Sequence, residues 1–106
     1  MGKMIELAWI LERIRDRDYR YSRHADRERQ NDGLTIVEVE QSVLAGRIIE
    51  QYSDTGRGES CLVAGFTHAG IPVHAVCGKS GSALVLVTVY IPGPPRFATP
   101  FERTRP

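Results

Sequence analysis

Residues 35–52, TIVEVEQSVLAGRIIEQY, decide the fold, because the hydrophobic period changes inside them. Thr35 and Glu38 stand three apart at the front, the spacing of a capping box. There a hydroxyl and a carboxylate satisfy the backbone amides that a first helical turn leaves open. The helix so opened is predicted to bury Ile36, Val39 and Val43, with Leu44 at the margin, and to stop at Gly46. From Arg47 onward β-branched and aromatic residues replace the helical spacing, so helix gives way to strand within a few residues.

Downstream the strand character persists through RIIEQY (47–52), SCLVAGFT (60–67), IPVHAVCG (71–78) and SALVLVTVYIP (82–92). The connections SDTGRGE, HAG and KSGS are too short for crossovers, so neighbouring strands are predicted to run antiparallel as a meander. The last strand is apolar on both faces, as expected in the middle of a sheet, and Pro92, Pro94 and Pro95 end it. Upstream, Met4, Leu7, Ala8, Leu11 and Ile14 recur at helical spacing, with Trp9 and Ile10 widening the stripe, which predicts a helix over 4–15. Ser22 suits the N-cap of a second, polar helix that ends before Gly33. The expectation is one α+β domain over 1–106. Two to three N-terminal helices pack on a four-stranded, mainly antiparallel C-terminal sheet, and an extended Pro/Arg tail occupies 92–106. Helices on one face would leave part of the other open, and a site is expected there.

Composition narrows the function classes. With 42% hydrophobic and 25% charged residues the chain reads as an ordinary globular domain. No apolar run has the ~18 residues needed to span a bilayer, and the acid-containing N-terminus lacks a cleavage signal, so a cytoplasmic, non-membrane protein is expected. Cys61 and Cys77 sit in apolar strands without a C-x-x-C pair, which favours reduced core thiols over a disulfide or a zinc site. The formal net charge of +1 argues against nonspecific coating of nucleic acid, yet seven arginines face four acids between Arg13 and Arg29. The tail adds Arg96, Arg103 and Arg105 against Glu102. Arginine matches phosphate bidentately, although a GC-rich genome would also enrich it.

The blocks YSRHADRERQNDGLT, VEQSVLAGRIIEQY, RGESCLVAGFT, IPVHAVCG and LVTVYIPGPPRF, in that order over residues 21–97, resemble a bacterial family of unknown function, DUF4258. That family is thought to be similar to small toxin ribonucleases of the RelE-like and barnase-like fold group, often encoded beside a zinc-finger or helix-turn-helix antitoxin. The resemblance implies a RelE-like fold, a toxin role, an antitoxin protein and RNA as partners, and no cofactor. The family's Ser-x-His-Ala block falls on Ser22, His24 and Ala25, its strand histidine on His74, and its Thr-x-Tyr on Thr88 and Tyr90. Many members carry arginine four residues after the first histidine. Here Glu28 stands there, between Arg27 and Arg29, which point about 200° apart around a helix.

Metal-independent RNA cleavage needs a base for the 2′-hydroxyl, an acid for the leaving 5′-oxygen and cations for the phosphorane charge. Histidine titrates in the right range for the first two roles. The candidate catalytic residues are therefore His24, His74 and Tyr90, with Arg27, Arg29 and Thr88 as substrate contacts and no metal. The competing reading makes His24 a backbone partner near a helix start, His74 a satisfied strand histidine and Tyr90 a packing residue. A noncatalytic protein- or nucleic-acid-binding module, or a degenerate family member, is the alternative function. Zinc bound by His24, His68 and His74 matches no ligand spacing, and SDTGRGES lacks the ending of a phosphate loop. Pairing across the His68–Gly70 turn is expected to put His74 on a face with Cys61, Val63 and Gly65. Whether Thr88 and Tyr90 share that face depends on the register of the KSGS turn.

Overall fold

The computed structural model describes residues 4–53, 58–93 and 97–103. The elements run α1 (Leu7–Arg15), β1 (Tyr19–Tyr21), α2 (Arg23–Asn31), α3 (Ile36–Leu44), β2 (Arg47–Tyr52), β3 (Ser60–Phe66), β4 (Pro72–Ser80), β5 (Ala83–Tyr90), β6 (Phe97–Thr99) and β7 (Glu102–Arg103). The class is α+β, with the N-terminal helices packed on the sheet. The sheet has five strands rather than the expected four, in the order β1-β5-β4-β3-β2. The additional strand is β1, whose Tyr19, Arg20 and Tyr21 pair in parallel with Leu84, Val85 and Leu86, whereas the other neighbours are antiparallel. A separate two-stranded hairpin, β6–β7, lies in the tail. Pro94, Pro95, Arg96, Arg105 and residues 54–57 of the SDTGRGES turn lie outside the described residues, as does the Arg103 side chain.

Local chemistry sets the helix ends. The Ser22 hydroxyl caps α2 by accepting from the Ala25 amide at 3.0 Å. At its C-terminus Gly33, at φ 72°, lets the Gly33 amide reach the Gln30 carbonyl and the Leu34 amide reach that of Arg29. That is a Schellman motif, and buried Leu34 supplies its apolar contact. The capping box of α3 is present in both directions: Glu38 N–H donates to the Thr35 hydroxyl at 3.1 Å, and Thr35 N–H to the Glu38 carboxylate at 2.9 Å. Val39 and Val43 are buried as predicted, but Ile36 and Leu44 are exposed, because only the stripe facing β3 meets the sheet. In α1 the buried residues are Ile10 and Ile14, preceded by Ile5, so the inward stripe is rotated and Met4 lies in solvent. Close approach of α3 to the sheet depends on Gly65, where an added Cβ would sit 1.9 Å from the Ser42 carbonyl oxygen.

One face of the sheet carries the core. Cys61, Val63, Val73, Ala75, Cys77, Leu84, Leu86 and Val89 pack there against Ile10, Ile14, Ala25, Val39 and Val43 of the helices. Two one-residue bulges decide which side chains reach the other face. Ile49 is extra between the pairs Ile48↔Val63 and Glu50↔Leu62, and Val87 is extra between Thr88↔Val76 and Leu86↔Cys77. Each inserted residue reverses the alternation beyond it. Arg47, Glu50 and Tyr52 therefore share the second face, although their uneven spacing would divide them in a regular strand. Likewise Thr88 and Tyr90 leave the side on which Leu84 and Leu86 are buried.

Candidate functional site

His74 lies on the second face, opposite Ala64 on one side and Tyr90 on the other. The expected company of Cys61, Val63 and Gly65 is corrected by one residue. Thr67 and Ile71 are partners across the three-residue turn, so counting back places His74 opposite Ala64 and on the face of Leu62. Register also shows that Thr88 and Tyr90 share this face with His74. Two rows cross the strands: Arg47, Ala64, His74, Tyr90, and beside it Glu50, Leu62, Val76, Thr88. Rows of this kind stand about 7 Å apart along the strands.

The His74 side chain is fully buried and held at both nitrogens. Nε2 contacts the carbonyl oxygen of Pro100 in the turn between β6 and β7. Because a carbonyl only accepts, Nε2 carries a proton. Nδ1 lies 3.2 Å from the Tyr90 hydroxyl, which donates to a neutral ring and accepts from a charged one. Both protonation states thus keep one ring orientation. The neighbouring row carries the carboxylate, with the Tyr52 hydroxyl donating to Glu50 at 2.5 Å. The next turn residue, Phe101, lies with its ring 4.2 Å from the Arg47 guanidinium carbon and 5.7 Å from the Phe66 ring, tilted at 59°. The tail turn is seated on the first row.

The remaining sequence candidates serve the opposite side and the β5 edge. β1 covers only the first part of β5, and beyond it α2 runs alongside. Glu28 accepts from the Val89 amide at 3.0 Å and Asp32 from the Ile91 amide at 2.9 Å, while the Ser22 hydroxyl donates to the Val87 carbonyl at 2.9 Å. Four residues of helix rise about 6 Å and two residues of strand about 6.7 Å, so successive turns of α2 meet alternate strand amides. Glu28 closes this edge. His24 is exposed and pairs with the same Glu28 oxygen at 3.2 Å. The structure therefore ties His24 to the helix-side edge and does not join it to His74. Arg29 is engaged internally, bonded to Asp26 at 2.7 Å and to the Leu34 carbonyl at 3.1 Å, with its guanidinium 5.6 Å from the Tyr21 ring centroid. Arg27 is exposed beside Arg23, Gln30 and Asn31.

Burial raises the Tyr21 phenol to about 12 against the opposing pull of the Arg29 cation, and burial and the bond to Glu40 raise Tyr19. Cys61 and Cys77 face each other directly as free, buried thiols on the core side. Hydrogen bonding with Cys61, and then burial, push the Cys77 thiol up. Among the described residues no group of three His, Cys, Asp or Glu is placed to hold a metal ion, and no helix is long and apolar enough to cross a membrane.

Sequence reading alone missed Arg47, Glu50 and Tyr52. Their signal was the break in alternation within RIIEQY, which marks a bulge.

A family model described as a domain of unknown function, DUF4258, matches residues 21–91. No curated protein and no solved structure matches the chain.

Proposed function

The chain belongs to the DUF4258 family, and from that premise we propose that it is a metal-independent RNA endonuclease, the toxin of a toxin–antitoxin pair, whose chemistry lies on the second sheet face. The observation that carries this reading is His74. Its ring is fixed by Tyr90, its protonated Nε2 is directed at an oxygen, and the same face carries the Glu50 carboxylate and the Arg47 guanidinium. Relative to the sequence expectation, Glu50 takes the role given to His24, and Arg47 that given to Arg27 and Arg29.

In this mechanism the Glu50 carboxylate takes the proton of a ribose 2′-hydroxyl. The 2′-oxygen attacks phosphorus, forming the new O–P bond, while the bond to the 5′-oxygen breaks. His74 Nε2 gives its proton to that leaving oxygen, so the products are a 2′,3′-cyclic phosphate and a 5′-hydroxyl end. Arg47 offsets the extra negative charge on the phosphorane, and Thr88 supplies a hydroxyl donor in the second row. Tyr90 acts through the imidazole as a positioning residue.

The test incubates the purified full-length protein with single-stranded RNA, with and without chelator, beside His74→Gln, Glu50→Gln and His24→Ala. Cleavage that survives chelator, falls at least 100-fold in the first two variants and persists in the third supports the reading. Undiminished cleavage in His74→Gln overturns it.

A noncatalytic binding module is the second reading, favoured by the complete burial of His74 under the tail turn. RNA binding or antitoxin binding without cleavage would select it.

A further inference from the structure

The turn Pro100–Phe101 sits on the second face as a bound ligand would. The Arg47 guanidinium carbon lies over the Phe101 ring, 4.2 Å from its centroid, and the Phe66 ring is a second neighbour at 5.7 Å, tilted at 59°. A few covalent bonds away, Pro100 presents an acceptor oxygen to His74 Nε2. Ring and oxygen are thus bound together, one under a guanidinium beside a tilted aromatic ring and the other on an imidazole N–H.

We propose that Arg47 and Phe66 form a nucleobase subsite of the second-face site, adjoining a phosphate-oxygen position at His74, and that the chain's own Phe101 and Pro100 fill both in the resting protein. The proposal rests on the endonuclease reading for its choice of ligand. A nucleotide has the same two parts, a flat ring and an anionic oxygen, joined through ribose as the Phe101 ring and the Pro100 carbonyl are joined through backbone. A guanidinium face and an aromatic ring accept any base, because every base has a π-face. Ala64, whose side chain is a single methyl, lies between Arg47 and His74 in the same row and is buried with the turn in place, so the sugar that would join the two positions takes the space the turn now fills.

The resident turn is built to be displaced. Its strands are Phe97–Thr99 and Glu102–Arg103, far short of a hairpin that is stable by itself. Its shape comes from Thr99, whose hydroxyl accepts from the amides of Phe101 at 3.2 Å and Glu102 at 3.1 Å. The cradle is reachable, since Arg47 is exposed and Phe66 is 39% exposed even with the turn in place. A nucleotide would compete with Phe101 for one position.

The experiment titrates the full-length protein with adenosine 3′-monophosphate, and separately with inorganic phosphate, following amide shifts by NMR. The variants are Phe101→Ala, Thr99→Ala, which loosens the turn without touching the cradle, and Phe101→Ala with Arg47→Ala. The expected result is nucleotide affinity at least tenfold higher in Phe101→Ala than in wild type, a smaller gain in Thr99→Ala, and loss of the gain in the double variant. Equal affinity in wild type and Phe101→Ala overturns the proposal, as does a gain reproduced in full by inorganic phosphate. Tightened nucleotide binding without RNA cleavage retains the subsite and removes the endonuclease. Cleavage that depends on His74, with no nucleotide gain in either tail variant, does the reverse.

Discussion

Tyr90 stands directly across the β4–β5 ladder from His74, and its hydroxyl is 3.2 Å from the imidazole Nδ1. The pair exists because Val87 is extra in β5. Were Val87 paired with Val76 in a regular ladder instead of bulged out, Tyr90 would point among the helices and His74 would face Val89.

Tyr90→Phe keeps the ring and removes the bond. A buried imidazole nitrogen left without its partner costs roughly 1–3 kcal/mol, so the urea midpoint falls with an unchanged slope. Endonuclease activity, if His74 acts as proposed, shows a displaced pH profile, because the hydroxyl no longer serves both protonation states. Unchanged stability together with an unchanged profile would remove Tyr90 from the site.

On α2, Glu28 and His24 are predicted to behave oppositely despite their 3.2 Å contact. Glu28→Ala strips the Val89 amide of its acceptor and is expected to cost about 1–3 kcal/mol. Glu28→Gln, which retains an acceptor oxygen, costs less. His24→Ala removes only an exposed partner and stays within about 0.5 kcal/mol of wild type. Chemical denaturation of the three variants measures the order, and an equal loss in His24→Ala and Glu28→Ala would contradict the edge-closing role.

Gly65→Ala is the most damaging small substitution foreseen, since its methyl would lie 1.9 Å from backbone oxygen of Ser42 rather than from a yielding side chain. Forced separation of α3 from β3 is expected to cost about 3 kcal/mol or more, read as a lower melting temperature. Gly70→Ala serves as the comparison, because no atom lies within 4 Å of its added Cβ and only its φ of 86° opposes the change.

Alkaline stability is governed by β1. Tyr21 is raised to about 12, mainly by burial, and Tyr19 is raised by burial and by its bond to Glu40. In the unfolded chain both titrate near pH 10. The folded pKa values exceed the unfolded ones, so the contribution is fully present below about pH 10 and is lost as pH rises through about 12. Tyr21→Phe should flatten the fall in urea midpoint across that window, whereas a fall of wild-type size would show that the phenol is not its cause.

Most of the fold was legible where the determining contacts are short-range. The capping box at Thr35 and Glu38, the Ser22 cap and the Gly33 stop each involve residues within a few positions of one another, and all three were correctly read. β1 was not legible: three residues carry no period, and their partner, Leu84–Leu86, lies far along the chain. The bulges at Ile49 and Val87 escaped for another reason. Val87, inserted in a β-branched run, looks like its neighbours, and Ile49 shows only in the uneven spacing of Arg47, Glu50 and Tyr52, yet each decides the face of every residue beyond it. That is why Tyr90 was named as a candidate without its register, and why Glu50 was passed over as an ordinary strand acid.

The parallel pairing of Tyr19 with Leu84 also has a consequence in time. A chain made from its N-terminus at about 5–20 residues per second has β1 exposed for several seconds before the strand that receives it exists. Through that interval the sheet edge is unmade and α2 has no amides to hold. Helices can form as they emerge, but the native sheet must wait until β5 has been synthesised. The β2–β3–β4 ladder can pair before then, but β1 and α2 gain their partner only when β5 has emerged.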